Sequence, residues 1–286
     1  MRVKTAAKIN LALDVTGKLP NGYHDLESVF QTVGLYDEVE VELTNSGIEL
    51  SCDVPDEFAS SDPIPCDERN IAYKAAKFFF EQNGMDCGCR IHIKKGIPSQ
   101  AGMGGGSTDA AAVLYCLGRM TGKTVVNSEK LGADVPFFLT GGTAYVEGIG
   151  EKITPIADYS GRILVIAKGK EGVSTAEAYR NIDSLTAPAH TETHKLVKAI
   201  NSAPDTAYKY FGNLFEQAVE LPEVEDIKSD MLKYCARSAV MTGSGSAVFG
   251  LFEDAAQAAV CAEKLGGEGY FACVCETVAE SFIVID

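Results

Sequence analysis

The feature that most constrains this chain is a glycine-rich stretch at residues 98–111, PSQAGMGGGSTDAA, in which four of the five residues from 102 to 106 are glycine. RIHI before it predicts a strand, and residues 107–120, followed by Gly122, predict a helix that begins near a Ser107 cap. Glycine lets a ligand approach the backbone, and the free N–H groups of a helix start attract anions. We therefore expect phosphate here, with a tight loop that binds no ligand as the alternative.

Two common phosphate-loop patterns do not fit this stretch. The P-loop requires Lys and then Ser or Thr after its last glycine, whereas Gly106 is followed directly by Ser107. The dinucleotide fingerprint, counted from Gly102 and Gly104, requires a third glycine at position 107, which is also Ser107. The anion site must be of another kind.

The rest of the chain predicts alternating strands and helices in two parts. Residues 2–16 and 29–50 read as strands around an NGYH turn, and Asn70 and Gly84 bound a helix. A strand at RILVIAKG follows a region punctuated by glycine and proline, which predicts a boundary between domains 1–155 and 156–286. Helices are expected near 174–183, 192–202, 213–220 and 223–235, a long loop at SAPDTAYKYFGN, and then two strands and one helix.

Composition restricts the partners. A formal charge of -15 argues against nucleic acid and anionic membranes, although a small anion could bind near Lys8, Lys94 and Lys95. No apolar run reaches the length of a membrane span, so we expect a cytoplasmic protein without a cleaved signal. The nine scattered cysteines predict a reducing compartment and buried thiols, with metal ligands as the alternative.

The glycine stretch resembles the ATP-phosphate motif of the GHMP kinases, the superfamily of galactokinase, homoserine kinase, mevalonate kinase and phosphomevalonate kinase. AKINLALDVTGKLPNGYHDLESVFQTVGLYD, LGADVPFFLTGGTAYVEGIGE and MTGSGSAVFGLF are similar to the branch that phosphorylates the 2-hydroxyl of a cytidine diphosphate-linked methylerythritol in non-mevalonate isoprenoid synthesis. The resemblance runs from about residue 6 to 252. It implies an α/β (α+β) two-domain fold: an N-terminal, ATP-binding domain like ribosomal protein S5 domain 2, and a C-terminal α+β domain.

The resemblance implies that Asp134 is the catalytic base and Lys8 its electrostatic partner. Without it, Asp134 reads as a helix cap or turn residue and Lys8 as a solvated edge-strand lysine. Alternation at the N-terminus places Lys8 and Asn10 on the face opposite the apolar side chains, and the resemblance gives Asn10 a role in orienting substrate. Pro136 should keep the residue before it out of a helix.

Recognition of cytidine diphosphate is implied for Tyr23, which would stack on cytosine, for His24, which would bind its polar edge, for Tyr179, which would close the sandwich as a second ring, and for Thr175 nearby. Tyr179 could instead be a core aromatic on a helix begun by a Ser174–Glu177 capping box. Asp109 stands where some relatives have Asn. The residues implied to bind ATP are Asn70, Lys95, Pro98, Gly102, Met103, Gly104, Gly105, Gly106, Ser107, Thr108, Asp109, Gly243 and Gly245. The sequence identifies no dedicated metal residue, so Mg2+ would be held by ATP, water and Ser107.

Two rival functions stay open. One is a kinase of the same superfamily acting on another small alcohol, against which the Tyr23–His24 pair speaks because neither homoserine nor mevalonate carries a base. The other is a nucleotide-binding regulator without catalysis, supported by a segment between Gly122 and Gly132 that is roughly two helical turns shorter than in relatives. The expected assembly is a monomer or a weak homodimer.

Overall fold

A computed structural model describes residues 1–58 and 63–286. The strands are β1 (Arg2–Lys18), β2 (His24–Thr44), β3 (Ile48–Asp53), β4 (Gly88–Lys94), β5 (Thr143–Gly148), β6 (Lys152–Pro155), β7 (Ile163–Lys168), β8 (Gly212–Asn213), β9 (Ser238–Met241), β10 (Val248–Phe252), β11 (Phe271–Glu276) and β12 (Phe282–Val284). The helices are α1 (Ile71–Asn83), α2 (Gly105–Thr121), α3 (Val135–Thr140), α4 (Thr175–Asp183), α5 (Thr193–Ser202), α6 (Pro222–Lys233) and α7 (Ala255–Gly267). Within the described residues, no helix is both long enough and apolar enough to cross a membrane.

The first sheet is built on a long antiparallel pair, β1 and β2. Its order is β12-β1-β2-β4-β3, with β5 also pairing with β2, β6 with β5, and β8 with β1. Helices α1 and α2 pack against each other, and buried aromatic and aliphatic residues such as Phe79, Leu114 and Phe137 fill the core beneath them. This core holds α2, and with it the glycine loop that precedes α2, against the sheet.

The second sheet has the order β11-β7-β10-β9 and carries α6 and α7. A second core joins the two sheets, with Ile9 and Val33 from the first and Ile166 and Phe249 from the second. Strands β8 and β12, which come from the second half of the sequence, pair with β1 in the first sheet. The division between residues 155 and 156 stays a prediction. Because β8 and β12 both pair with β1, the chain returns twice from its second half to the first sheet.

The elements around the glycine stretch largely match their sequence signals. Asn70 caps α1 by accepting a hydrogen bond from the Ala72 backbone N at 2.9 Å, and Gly84 ends it in the left-handed region at φ 59. Helix α2 starts at Gly105, two residues earlier than predicted, so Ser107 lies in its first turn and Gly104 occupies the cap position at φ 72. A glycine takes this conformation without the strain that a side chain would add.

Several predictions in the first half were wrong. The strand expected over 29–50 is two strands, because Gly47 at φ 75 makes a turn between β2 and β3. Pro136 does not keep Val135 out of a helix: Val135 begins α3 and Pro136 follows it in the first turn, where a backbone N–H has no partner to lose.

In the second half of the chain, the structure differs from the predicted elements at four places. Most of the loop expected at 202–213 is a 3₁₀ helix, Pro204–Tyr210. The helix expected at 213–220 is β8 followed by a 3₁₀ turn, because Asn213 caps that turn by accepting from the Phe215 backbone N at 3.0 Å. Ser174 makes no side-chain cap bond, so the capping box is not formed. After residue 235 there are four strands and one helix, not two strands and one helix.

Candidate active site

A cleft of about 700 Å³ lies where the glycine loop, β1, α1 and the loop after β9 meet. It collects most of the side chains singled out in the sequence. Its lining includes Lys8, Asn10, Asn70, Lys95, Pro98, Gly102, Met103, Gly104, Gly105, Gly106, Ser107, Asp109, Asp134, Thr175, Tyr179 and Gly243. These residues are spread over 236 positions of the chain, from 8 to 243, and only the fold brings them together.

Two glycine loops touch each other backbone to backbone at this cleft. A Cβ on Gly102 would lie 2.1 Å from the Thr242 carbonyl oxygen, and a Cβ on Gly243 would lie 2.7 Å from the Gly102 carbonyl oxygen. Both glycines have positive φ, so a side chain is excluded by space as well as by backbone conformation. The contact leaves the first turn of α2, Gly105 to Ser107, facing the cleft, where its N–H groups and the helix dipole favour an anion.

Lys8 and Asp134 lie next to each other in the cleft. Lys8 Nζ lies 3.9 Å from Asp134 Oδ2, donates a 2.7 Å hydrogen bond to Asn10 Oδ1, and stands 4.6 Å from the centre of the Phe30 ring. Burial lowers the pKa of Lys8, and the charge of Asp134 raises it in part. The side chain of Lys8 is 5% exposed and that of Asp134 28%, so the carboxylate can meet a substrate while the ammonium supports it from behind.

Asn10 connects the lysine to the second glycine loop. Its Oδ1 accepts hydrogen bonds from Lys8 Nζ, from the Thr242 hydroxyl at 3.2 Å and from the Gly243 backbone N at 3.0 Å, and its Nδ2 donates to Ser28 Oγ at 3.0 Å. Through these bonds to Oδ1, Asn10 orients Lys8 and holds the loop at 242–243, and its role in orienting substrate stays a prediction.

Lys95, Asp37 and Asp109 form a buried ion cluster, here called the Lys95 cluster. Lys95 Nζ donates to Asp37 Oδ2 in a very short hydrogen bond and to Asp109 Oδ2 at 2.8 Å. Burial lowers the pKa of Lys95, but the charges of Asp109 and Asp37 together raise it above its usual value. Because Asp37 is on β2, Lys95 follows β4 and Asp109 is on α2, the cluster fastens α2 to the sheet at this end of the cleft.

The opposite end of the cleft is aromatic. The rings of His24 and Tyr179 stack with centroids 4.5 Å apart, and Tyr179 meets Phe215 edge to face at 5.0 Å. His24 Nε2 lies 2.7 Å from Asp183 Oδ1. Burial raises the pKa of Tyr179 to about 12, with a further contribution from the charge of Asp134. Since the two rings are in direct contact, no base fits between His24 and Tyr179 in this arrangement.

Four predicted residues do not line the cleft: Tyr23, His24, Thr108 and Gly245. Tyr23 is 60% exposed in the turn between β1 and β2. Thr108 is fully buried, and its hydroxyl donates to the Ala6 carbonyl oxygen at 2.8 Å, so it packs α2 onto β1. Gly245 lies at φ 94 in the second glycine loop, two residues beyond Gly243, which does line the cleft.

Three further residues at or beside the cleft were not predicted from the sequence. Gln100 and Ser244 line the cleft, and Ser244 Oγ lies 2.9 Å from Thr175 Oγ1. Asn213 Nδ2 donates to the carbonyl oxygens of Met241 and Gly243 at 2.7 and 2.8 Å, which supports the second loop from below. MTGSG could have indicated Ser244; nothing in the sequence around Asn213 indicates its contact with that loop.

The segment between Gly122 and Gly132 does not keep Asp134 away from Lys8. It contains the 3₁₀ turn Ser128–Lys130 with a buried Ser128, and Leu131 packs against the first core. Asp134 then reaches the cleft and stands 3.9 Å from Lys8. The chain therefore accommodates the short segment by local packing.

Two family models match this chain. GHMP kinases N terminal domain covers residues 70–142, and GHMP kinases C terminal covers residues 196–270. A 4-diphosphocytidyl-2-C-methyl-D-erythritol kinase of Clostridium botulinum (strain Eklund 17B / Type B) is 42% identical over 274 residues, which are 93% of this chain and 95% of the relative. A relative of the same name from Clostridium kluyveri is 39% identical over 274 residues, with the same coverage.

Solved structures confirm the predicted two-domain fold. A crystal structure of 4-(cytidine 5'-diphospho)-2C-methyl-D-erythritol kinase superposes with a TM-score of 0.81 at 31% identity, covering 97% of this chain and 99% of the other. A homoserine kinase from Cytophaga hutchinsonii has a TM-score of 0.76 over 100% and 97% of the two chains; at 17% identity it shares the fold alone. The chain therefore belongs to the 4-diphosphocytidyl-2-C-methyl-D-erythritol kinase family of the GHMP kinases.

Proposed function

We propose that this chain transfers the γ-phosphate of ATP to the 2-hydroxyl of 4-diphosphocytidyl-2-C-methyl-D-erythritol. The observation that carries the proposal is the Lys8–Asp134 pair, 3.9 Å apart, in the same cleft as the first turn of α2. Phosphoryl transfer depends mainly on positioning and electrostatic stabilisation. The start of α2 can hold the phosphates in position. Asp134, together with the buried ammonium of Lys8, provides the electrostatic stabilisation.

In this mechanism the triphosphate lies against Gly102 to Ser107, with its oxygens accepting from the N–H groups at the start of α2. Asp134 accepts the proton of the substrate hydroxyl as that oxygen attacks the γ-phosphorus, and the bond from the γ-phosphorus to the β–γ bridging oxygen breaks to release ADP. The ammonium of Lys8 stabilises the negative charge that develops on the attacking oxygen. Asn10 keeps Lys8 in this position through the 2.7 Å hydrogen bond.

The oxygen donors of the cleft suit Mg2+ that enters with ATP. Asp134 and Ser107 supply a carboxylate and a hydroxyl, and the described residues contain no cluster of three or more His, Cys, Asp or Glu that could hold a metal. Mg2+ commonly binds through substrate phosphates, waters and one or two protein oxygens. Bound in this way, it would neutralise charge on the β- and γ-phosphates.

The aromatic end is the proposed cytidine site. Tyr23, which precedes His24 in the chain, has an exposed ring, and Tyr179 and Thr175 line the cleft. Because His24 occupies one face of Tyr179, we propose that the base stacks on Tyr23 and meets the polar edge of His24, instead of entering between His24 and Tyr179. A cytoplasmic location and a monomer or weak homodimer complete the proposal.

The test is release of ADP in a coupled assay with Mg-ATP and the cytidyl substrate, set beside homoserine and mevalonate. We expect release with the cytidyl compound alone. Release with another alcohol would assign a different kinase activity. ATP binding without release in the presence of any of the three would favour a silent regulator, the reading that the intact Lys8–Asp134 geometry opposes.

A further inference from the structure

The Lys95 cluster contains a buried carboxyl oxygen that lacks a partner. Asp109 lines the cleft with a side chain that is 6% exposed. Its Oδ2 accepts from Lys95 Nζ at 2.8 Å, whereas its Oδ1 is buried and has no hydrogen-bond partner in the described parts of the chain. Buried polar atoms are almost always paired, so an unpaired oxygen at a cleft wall indicates a ligand that completes it.

The two carboxyl groups of the cluster are not equivalent. Asp37 accepts from Lys95 and also from the backbone N of Gly96 and of Ile97, at 2.7 and 2.8 Å, and therefore balances the charge of Lys95. Among the described residues, Asp109 accepts a hydrogen bond only from Lys95, and its carboxyl group also lies close to that of Asp37. Burial raises the pKa of Asp109 well above its usual value, Lys95 lowers it in part, and the nearby charge of Asp37 raises it again.

A further titratable group near the cluster is Cys52 on β3, whose thiol pKa is raised to about 12, mainly by burial and also by its contact with the Cys66 thiol. The thiol is therefore neutral at ordinary pH and adds no charge. The positive charge of Lys95 is therefore balanced by the negative charge of Asp37. A negative charge on Asp109 as well would be buried without a cation to balance it.

We propose that Asp109 is a neutral carboxylic acid that donates its Oδ1 proton to a hydrogen-bond acceptor of the bound nucleotide. The inference rests on the proposed function, which puts ATP in this cleft. In this form the Oδ2 carbonyl accepts from Lys95 and the Oδ1 hydroxyl donates to the ligand, so both oxygens are satisfied. The neutral form also avoids placing a second negative charge beside the polyanionic nucleotide.

The test is the pH dependence of ATP binding, measured by calorimetry on the whole chain. For the wild type we expect a constant Kd at low pH and a rise of about tenfold per pH unit once Asp109 ionises. Asp109→Asn should bind without this dependence, because its amide oxygen accepts from Lys95 and its NH2 group replaces the hydroxyl donor. Asp109→Ala should bind roughly three- to tenfold more weakly at low pH and also without the dependence.

Cys52→Ser is the matched control, since it removes a thiol that lies beside the cluster and could lose a proton at alkaline pH. It should retain the wild-type pH dependence, and loss of that dependence in Cys52→Ser would overturn the proposal. Infrared difference spectra add a direct readout: the wild type should show the carbonyl band of a neutral carboxyl that Asp109→Asn lacks. Two results would overturn the proposal and show that Asp109 is an ionised carboxylate that accepts a hydrogen bond from the ligand. One is a wild type without this band; the other is a wild-type Kd for ATP that does not change with pH, together with weaker ATP binding by Asp109→Asn.

Two ligand fragments locate the acceptor. If adenosine follows the same pH dependence, the acceptor is on the base or ribose; if tripolyphosphate follows it, the acceptor is a phosphate oxygen. Either result supports the proposal, and a dependence absent with both fragments and with ATP overturns it. A wild type that fails to bind ATP at any pH would contradict the proposed function itself, whereas ATP binding that is indifferent to Asp109 contradicts this inference alone.

Discussion

Lys8 is held by three neighbours of different chemistry: the Asn10 amide oxygen at 2.7 Å, the Phe30 ring at 4.6 Å and the Asp134 carboxylate at 3.9 Å. Only Asp134 of these has a basic oxygen that a substrate can reach. Asp134→Asn keeps the shape and removes the base, so we expect turnover to fall by about 10²- to 10⁴-fold while ATP still binds. Coupled ADP release beside calorimetric ATP binding measures both, and unchanged turnover would contradict the role of Asp134.

The lowered pKa of Lys8 predicts how activity depends on pH. Because burial lowers this pKa, Lys8 should lose its proton, and the enzyme its activity, below the pH of about 10.4 that is usual for lysine. The sign follows from the mechanism, which requires the charged form: kcat/KM should fall as pH rises through the pKa of Lys8.

Lys8→Arg is the comparison for that pH profile, since arginine stays charged over the whole range. Any activity that Lys8→Arg retains should lack the alkaline fall. ATP binding by the same variant checks that the cleft is intact. An alkaline fall that is identical in wild type and Lys8→Arg would assign the titration to another group.

At the scale of elements, we expect the proposed ATP binding to depend on the contact between the two glycine loops. Gly102→Ala should raise the KM for ATP and destabilise the fold, because its Cβ would meet the Thr242 carbonyl oxygen at 2.1 Å. Gly122→Ala is the matched control: its φ of +69 resembles the +72 of Gly102, but its Cβ would meet nothing within 4 Å. Both variants carry the conformational cost of about 1 kcal/mol, and only Gly102→Ala adds the clash.

Urea unfolding and ATP kinetics of the two variants test this contact. We expect Gly122→Ala to lose a little stability with an unchanged KM, and Gly102→Ala to lose more stability and to bind ATP poorly. Equal effects of the two substitutions would mean that the contact between the loops adds nothing to stability or to ATP binding, and that the second loop does not shape the phosphate site.

The elements also show how far sequence reasoning reaches. Local signals were sufficient for α1, where Asn70 and Gly84 act within a few residues of the helix ends that they cap. They failed at residues 213–220, because Asn213 is held by the Met241 and Gly243 carbonyl oxygens, contacts that no local pattern encodes. The unpaired oxygen of Asp109 could not be predicted for the same reason, because it depends on how α2 packs against Asp37 on β2 and Lys95 after β4.

At the scale of the whole molecule, the two sheets share a core. Ile9 and Val33 from the first sheet pack in one cluster with Ile166 and Phe249 from the second. Strand β12 also closes onto β1, with Val3 opposite Val284. A cleft built between units that share a core is held in one geometry, which suits a reaction that depends mainly on positioning.

The shared core predicts that both halves unfold together. Phe249 is completely buried on β10, so Phe249→Ala should cost about 3–5 kcal/mol. Because that ring also packs against the cluster containing Ile9, the loss should appear in hydrogen exchange of β1 amides as well as of β10 amides. Leu232→Ala, at a site 52% exposed on α6, is the control and should leave both strands within about 0.5 kcal/mol of wild type. Faster exchange confined to β10 in Phe249→Ala would show that the halves unfold separately, and the cleft geometry would then have to be maintained by the glycine-loop contact and Asn10 instead of by the core.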